Sequence, residues 1–224
     1  MPFSGRQPLC DFVGKEEKMG KKKFIKEYLE PIVIAVLIAL FIRTFIIQAF
    51  KIPSSSMEPT LQVGDHILVN KFIYGIKIPF TDMKLFQFKK PKRGDIIVFI
   101  YPRDRSKDFI KRVIGMEEEK VEIIRNKIYI NDKLINDPWG QYNEKSDWIR
   151  YLQPTEKFGP VIVPKESLFV LGDNRDNSQD SRFWGFVNIN AVKGKAFIIY
   201  FSLDWYAQNL LDKIRWVRFG KLIE

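Results

Sequence analysis

The chain of 224 residues holds one cysteine, Cys10, and one histidine, His66. One cysteine excludes an internal disulfide and any thiolate metal site. One histidine excludes a histidine metal cluster, and no spaced set of carboxylates offers an all-oxygen site. The chain is therefore expected to act without a metal or other cofactor. Glycine and proline are not in excess and hydrophobic residues make up an ordinary 46%, so most of the chain should be globular. Zinc-finger, RNA-recognition and basic-zipper signatures are all missing. The net charge of +10 then points away from nucleic acid and toward an anionic membrane surface.

The membrane reading has direct support in residues 32–50, "IVIAVLIALFIRTFIIQAF", where only Arg43, Thr44 and Gln48 interrupt the apolar run. Nineteen helical residues cover about 28 Å at ~1.5 Å each, close to a bilayer core. No polar stripe is present, so this is not a surface helix. Pro31 suits the first turn, and Arg43 lies near enough to the end to snorkel. "QAFKIP" carries large residues where a cleavable signal needs small ones, which makes the run an uncleaved anchor over 31–50. Ahead of it, residues 1–30 form a basic tail with "KKK" at Lys21 to Lys23. The positive side faces the cytoplasm, so residues 51–224 face outward.

The outward part reads as strands. "HILVNKF", "DIIVFIY", "FIKRVIGM", "KVEII", "KIYIND", "SLFVLGD" and "KAFIIYFS" are short, rich in Ile, Val and Phe, and bounded by turn residues. "EIIRNKIYIN" spells a hairpin closing near Arg125–Asn126. No 12–15-residue helical pattern alternates with these runs, which argues against a parallel α/β sheet. The expected fold is mainly β: one N-terminal transmembrane helix, then an antiparallel, barrel-like domain. Residues 137–160 read as a long inserted loop. The stretch "NLLDKIRWVRFGKLIE" fits either a terminal strand or a surface helix.

Three stretches hold candidate chemistry. "KIPSSSMEPTLQVGD" sets three serines between two prolines directly after the span. Serine clusters usually mark a solvated linker. A serine hydroxyl becomes a nucleophile only when a base takes its proton. His66 is the familiar kind of base, but a lone histidine on a strand is more often structural. The other kind is a lysine held neutral by burial, which must come down from ~10.4 to ~7–8. "DFIKRVIG" offers one, because Phe109, Lys111 and Val113 share a strand face while Arg112 points the other way. The third stretch, "GDNRDNSQDSRFWGFV", could be an exposed turn. Alternatively, Asp173, Asp176 and Asp180 could pair with Arg175, Arg182 and Arg112 in a buried polar network.

Taken together and in this order, these stretches resemble the bacterial type I signal peptidases, membrane-bound serine proteases that remove signal peptides. "IPSSSMEPTL", "RGDIIVF", "DFIKRVIG", "FGPVIVP" and "GDNRDNSQDSRFWGFV" carry the resemblance, which covers roughly residues 25–220. It implies Ser56 as nucleophile and Lys111 as general base. Ser54 and the Ser56 backbone N–H would form the oxyanion hole, and Ser178 would orient Lys111. Asp173 would pair with Arg112 and Asp180 with Arg182. A pocket for small side chains maps onto Ile52, Pro53, Met57, Leu61, Phe109 and Ile110. The implied partners are signal peptides of exported preproteins cut after Ala-x-Ala motifs, the phospholipid membrane, and the secretion translocon, with no nucleic acid. The implied location is the bacterial cytoplasmic (inner) membrane, crossed once, with the catalytic domain on the outer (periplasmic) side.

Ser55 stands where the family often has glycine, and "MEEEKV" where "LPGDKV" is typical; neither touches the Ser–Lys pair. Residues 78–93, "IPFTDMKLFQFKKPKR", mix aromatic and basic residues and suit either the membrane interface or a partly buried hairpin. The competing readings are a Ser56–His66 hydrolase, a membrane-anchored binding module, and a relative of the self-cleaving repressors, whose DNA-binding domain is replaced here by a span.

Overall fold

The computed structural model describes residues 25–77, 84–85, 88–142, 157–209 and 212–223. The chain divides into two units, residues 1–44 and residues 45–224. In the first, one π-helical turn at Ile25–Leu29 leads into helix α1, Glu30–Phe45. Lys26–Phe45 is long and apolar enough to cross a membrane, and α1 buries none of its side chains. Twenty residues at ~1.5 Å each give about 30 Å, the thickness of a hydrocarbon core.

The helix stops earlier than the sequence suggests. Residues 46–50, expected to complete the span, leave the helix, and Ile47–Lys51 forms strand β1. β1 runs antiparallel to β2 (Asp65–Asn70), from Ile47 opposite Asn70 to Lys51 opposite His66. The ladder satisfies the backbone of these residues and lets Phe50 pack on the core, so an apolar run that suits either solvent is taken by the sheet.

The remaining strands are β3 (Ile76–Lys77), β4 (Lys84–Leu85), β5 (Ile96–Ile100), β6 (Asp108–Gly115), β7 (Lys120–Ile124), β8 (Lys127–Ile130), β9 (Lys133–Leu134), β10 (Lys157–Ile162), β11 (Ser167–Leu171), β12 (Val187–Asn188), β13 (Val192–Ser202) and β14 (Lys221–Leu222). Every ladder between them is antiparallel. The main sheet has the order β1-β2-β13-β5-β6-β11-β12, with β14 also on β13. A second sheet has the order β10-β7-β8-β9, and β3 pairs with β4. The mainly β, antiparallel expectation holds. Among the described residues the end strands β1 and β12 do not pair with each other.

Strand pattern follows position. β5 is buried on both faces, as its unbroken "IIVFI" requires, while β2 alternates buried and half-buried residues. β7 and β8 close through Arg125 (φ 48°) and Asn126 (φ 64°), the left-handed pair of a tight hairpin turn, at the place expected. One apolar cluster joins Ile52, Met57 and Leu61 to Ile67, Val69, Ile96, Val98, Ala196, Ile199 and Ile223. A second gathers Ile97, Phe99, Val113, Leu168, Val170 and Trp184, with Phe109 against it. The third joins the two larger sheets through Ile114, Val121, Ile123, Ile128, Ile130, Phe169 and Leu171.

The expected long loop over 137–160 is corrected at its far end. Lys157–Ile162 is strand β10 on β7, and Phe158 packs on Phe169 with ring centroids 5.4 Å apart. Residues 143–156 lie outside the described residues. The C-terminal stretch takes the strand alternative: a 3-10 turn at Trp216–Arg218 leads into β14. Of the proposed interfacial segment, residues 78–83 and 86–87 lie outside the described residues.

Candidate active site

Ser56 sits on the loop between β1 and β2. The loop is closed at its base, where Ile52 N–H donates to Asp65 O at 2.8 Å and Gly64 N–H to Ile52 O at 3.0 Å. Gly64 has φ +93°, and a Cβ there would come within 1.9 Å of Leu203 O, so only glycine fits. Ser55–Met57 makes a single 3-10 turn. Met57 and Leu61 are fully buried, worth about 1.5–3 kcal/mol each, and they fix the turn against the first cluster. A serine run that reads as a linker is thus held by the apolar residues spaced through it.

Lys111 lies on β6 opposite Ile97 of β5 and is only 4% exposed. Its Nζ donates to Ser56 Oγ at 2.7 Å and to Ile110 O at 3.0 Å. Burial pushes its pKa down from 10.5 to about 8; Asp180 and Asp173 oppose the shift and Arg182 adds to it. Phe109 lies two residues away on the same face, its ring 5.7 Å from Nζ. A buried lysine with a lowered pKa in contact with a serine hydroxyl has the arrangement that a base–nucleophile pair requires.

Around this pair runs a frame of buried ions. Arg112 donates through Nε and Nη2 to the two oxygens of Asp173, both at 2.8 Å, and both side chains are fully buried. Its third branch reaches Gly94 O at 2.8 Å, and its guanidinium lies 4.4 Å from the centre of the Trp139 ring. Thr60 Oγ1 donates to Asp173 at 2.6 Å, tying the serine loop to the frame. Arg182 forks onto Asp180, also at 2.8 Å twice, and donates to Arg175 O at 2.5 Å. Arg175 in turn donates to Gly172 O at 2.9 Å and pairs with Asp137. Such a frame contributes orientation more than stability, because desolvation offsets much of the attraction.

Asn174 N–H donates to Ser56 O at 3.1 Å and its amide to Ser55 O at 3.2 Å, so the "GDNRDN" loop grips the backbone of the serine turn. Gly172 makes the approach feasible: a Cβ there would lie 2.2 Å from Ser178 Oγ and 2.4 Å from Ser56 O.

The sequence-predicted residues thus largely converge. Ser54 Oγ is 3.5 Å from Ser56 Oγ. Ile52, Met57, Leu61 and Ile110 meet in one cluster, Phe109 joins the neighbouring one, and Pro53 is exposed. One expected contact is not made: Lys111 donates to Ser56 and Ile110, while the buried Ser178 Oγ has no hydrogen-bond partner among the described residues. His66 is not directed at the serine. Its Nδ1 lies 3.1 Å from Gly64 O and its ring packs against Tyr200 and Phe201.

Several residues escaped the sequence reading. Asp65, fully buried, accepts from Ser202 Oγ at 2.7 Å, Gln62 N–H at 2.8 Å and Arg218 Nε at 2.9 Å. Arg218 also donates to Thr60 O, and Arg215 to Val63 O, both at 2.9 Å. Asp137, Trp139 and Thr60 were likewise unmarked. The "VGD" following the serines was the available signal for Asp65, because a carboxylate at the start of an apolar strand calls for a partner.

Comparison with known proteins shows the family to which the chain belongs. The family described as "Signal peptidase, peptidase S26" matches residues 25–201. Signal peptidase I of Pseudomonas aeruginosa is 36% identical over 218 residues, covering 83% of this chain and 76% of its own. Signal peptidase I of Aquifex aeolicus is 37% identical, covering 75% of this chain and 80% of its own. A crystal structure of a signal peptidase I from Enterococcus faecalis aligns with 48% of this chain and 97% of its own, at 34% identity and a TM-score of 0.39. With a buried lysine on its serine and a match over most of its length, the chain belongs to the signal peptidase family, peptidase S26.

Proposed function

We propose that this peptidase cleaves N-terminal signal peptides from exported preproteins after small-x-small motifs, Ala-x-Ala foremost, by acyl transfer through Ser56 and Lys111. The observation that carries the reading is the 2.7 Å contact between Lys111 Nζ and Ser56 Oγ inside an apolar wall.

In the working form Lys111 is neutral and its lone pair receives the Ser56 proton. Ser56 Oγ attacks the carbonyl that follows the small side chain held between Ile52, Pro53, Met57, Leu61, Phe109 and Ile110. The oxyanion is met by Ser54 Oγ and the Ser56 backbone N–H. Lys111, now an ammonium with three donors, keeps Ile110 O, offers one N–H to Ser178 Oγ and passes its proton to the leaving amine. Water, deprotonated by the same lysine, then releases the acyl group. Asp173 with Arg112 and Asp180 with Arg182 hold the strands that present these groups.

The helix Lys26–Phe45 anchors the enzyme in the bacterial cytoplasmic membrane, with the basic N-terminal segment inside and the β domain outside. Preproteins arrive there from the translocon, and the phospholipid surface is the second partner.

The test is cleavage of one preprotein carrying an Ala-x-Ala site by the detergent-purified chain and its Ser56→Ala, Lys111→Ala and His66→Ala variants. The first two variants are expected to be folded and inactive, and the third active. Full activity in Lys111→Ala would refute the Ser–Lys assignment, and inactivity of the unaltered chain would refute the peptidase function.

A further inference from the structure

A cleft of about 290 Å³ opens beside the nucleophile turn, lined by Glu58, Pro59, Gln141, Tyr142 and Asn174. The steps above make no use of it. Its walls are fixed. Asn174 is bonded to the backbone of Ser55 and Ser56. Gln141 N–H donates to Asp173 O at 2.7 Å, and Arg175 N–H to Gln141 O at 2.9 Å. Tyr142 Oη donates to Asn126 O at 2.9 Å and accepts from Arg175 at 3.2 Å.

Glu58 is the exception. It stands two residues past the nucleophile and is half-buried, and its carboxylate has no hydrogen bond or ion pair among the described residues. Elsewhere around the site the acids are matched: Asp173, Asp180, Asp137 and Asp65 each hold an arginine. An unmatched acid in a preformed cleft, on a protein of net charge +10, is a site for a cation brought by something else. The lining also fits the rest of such a side chain. Pro59 and the Tyr142 ring can cover an aliphatic stem, and the Gln141 and Asn174 amides flank the charged head.

We propose that this cleft receives a lysine or arginine side chain of the substrate polypeptide, from the residues that follow the scissile bond, and that Glu58 is the specificity determinant there. The inference rests on Ser56 being the nucleophile. The cleft shares no lining residue with Ile52, Pro53, Phe109 and Ile110, whose pocket takes the acyl side of the bond. A side chain in the cleft therefore belongs to the leaving-amine side.

The experiment uses the full chain in detergent and preproteins identical except for Lys, Ala or Glu at each of the first four positions after the cut. At one position the Lys substrate should exceed the Glu substrate about tenfold in kcat/KM, mainly through KM. Glu58→Gln should bring that ratio near one, and Glu58→Lys should invert it. The ratio is internal to each variant, so a general loss of activity does not disturb it. An unchanged ratio in Glu58→Gln, or a charge effect confined to positions before the cut, overturns the proposal. Binding of the same sequences as fluorescent peptides to Ser56→Ala separates the two readings. If the unaltered chain cuts nothing, the peptidase function falls, while a Lys preference in binding that Glu58→Gln erases still supports the cleft. Equal binding of Lys and Glu peptides overturns it.

Discussion

Lys111 Nζ lies 2.7 Å from Ser56 Oγ across 55 residues of sequence. The contact forms because both neighbourhoods pack on one cluster: Ile110 beside the lysine, and Ile52, Met57 and Leu61 around the serine. The same apolar packing that joins the two groups also keeps the amine near neutrality.

Activity should follow that titration. The base form of Lys111 exists above its pKa, so kcat/KM should rise about tenfold per pH unit up to about 8 and then level. Phe109→Ser admits water and should move the limb to higher pH. Losing the ring's attraction for the ammonium works in the opposite sense, but at ~0.5–1 kcal/mol it is smaller than a burial effect of roughly 3 kcal/mol. A pH–rate profile that stays in place in Phe109→Ser would contradict the desolvation account.

The lysine should also cost stability. Its folded pKa, about 8, lies below the unfolded 10.5. Between these values the unfolded chain binds the proton and the folded one does not, so stability rises with pH across that window. Below about 8 the full penalty is present, on the order of 3 kcal/mol. Lys111→Met, similar in volume and uncharged, should abolish activity yet melt several degrees higher at pH 7, with the gain shrinking as pH approaches 10.5. Thermal melts at pH 7 and pH 10 check this; a variant less stable at pH 7 would contradict it.

Asp173 and Arg112 should behave as a unit. Asp173→Leu strands a fully buried guanidinium and should cost about 3–5 kcal/mol. Pairing Arg112→Met with Asp173→Leu removes both charges and should recover most of the loss. Urea midpoints of the two single variants and the double variant decide it. Additive losses would mean that the two side chains act independently.

Arg218 should influence the reaction from a distance. It holds Thr60 O and Asp65, on the return limb of the serine loop. Arg218→Ala should lower kcat about tenfold with little change in KM, at a temperature where the variant is fully folded. Arg218→Lys should restore part of it, since one ammonium cannot reproduce the fork onto Asp65. A lower melting temperature with kcat intact would reduce Arg218 to scaffolding.

Much of the site could be read from the residues because its chemistry is written locally. The strand that carries Lys111 and Arg112 follows from its apolar run, and the Arg125–Asn126 hairpin from its turn pair. Ser56 and Lys111 stood out through the resemblance. Three things could not be read. The end of the span was hidden because Ile46, Ile47 and Phe50 suit lipid and sheet equally, and only the partner strand β2 decides. The partners of Asp65 and Arg175 lie 153 and 38 residues away, and nothing in local pattern links such positions. That Ser178 Oγ meets neither Lys111 nor any other partner among the described residues is set by side-chain packing that local pattern does not encode.

The Arg218 clamp also has a consequence in time. Ribosomes deliver the serine loop 153 residues before the arginine that fastens Asp65. Until that segment has been made and has reached the same compartment, Thr60 O and Val63 O lack their donors and Asp65 lacks its countercharge. A half-made chain carries Ser56 and Lys111 but not the fastening. The serine loop therefore completes its hydrogen bonds only once the 3-10 turn carrying Arg218 has joined the fold.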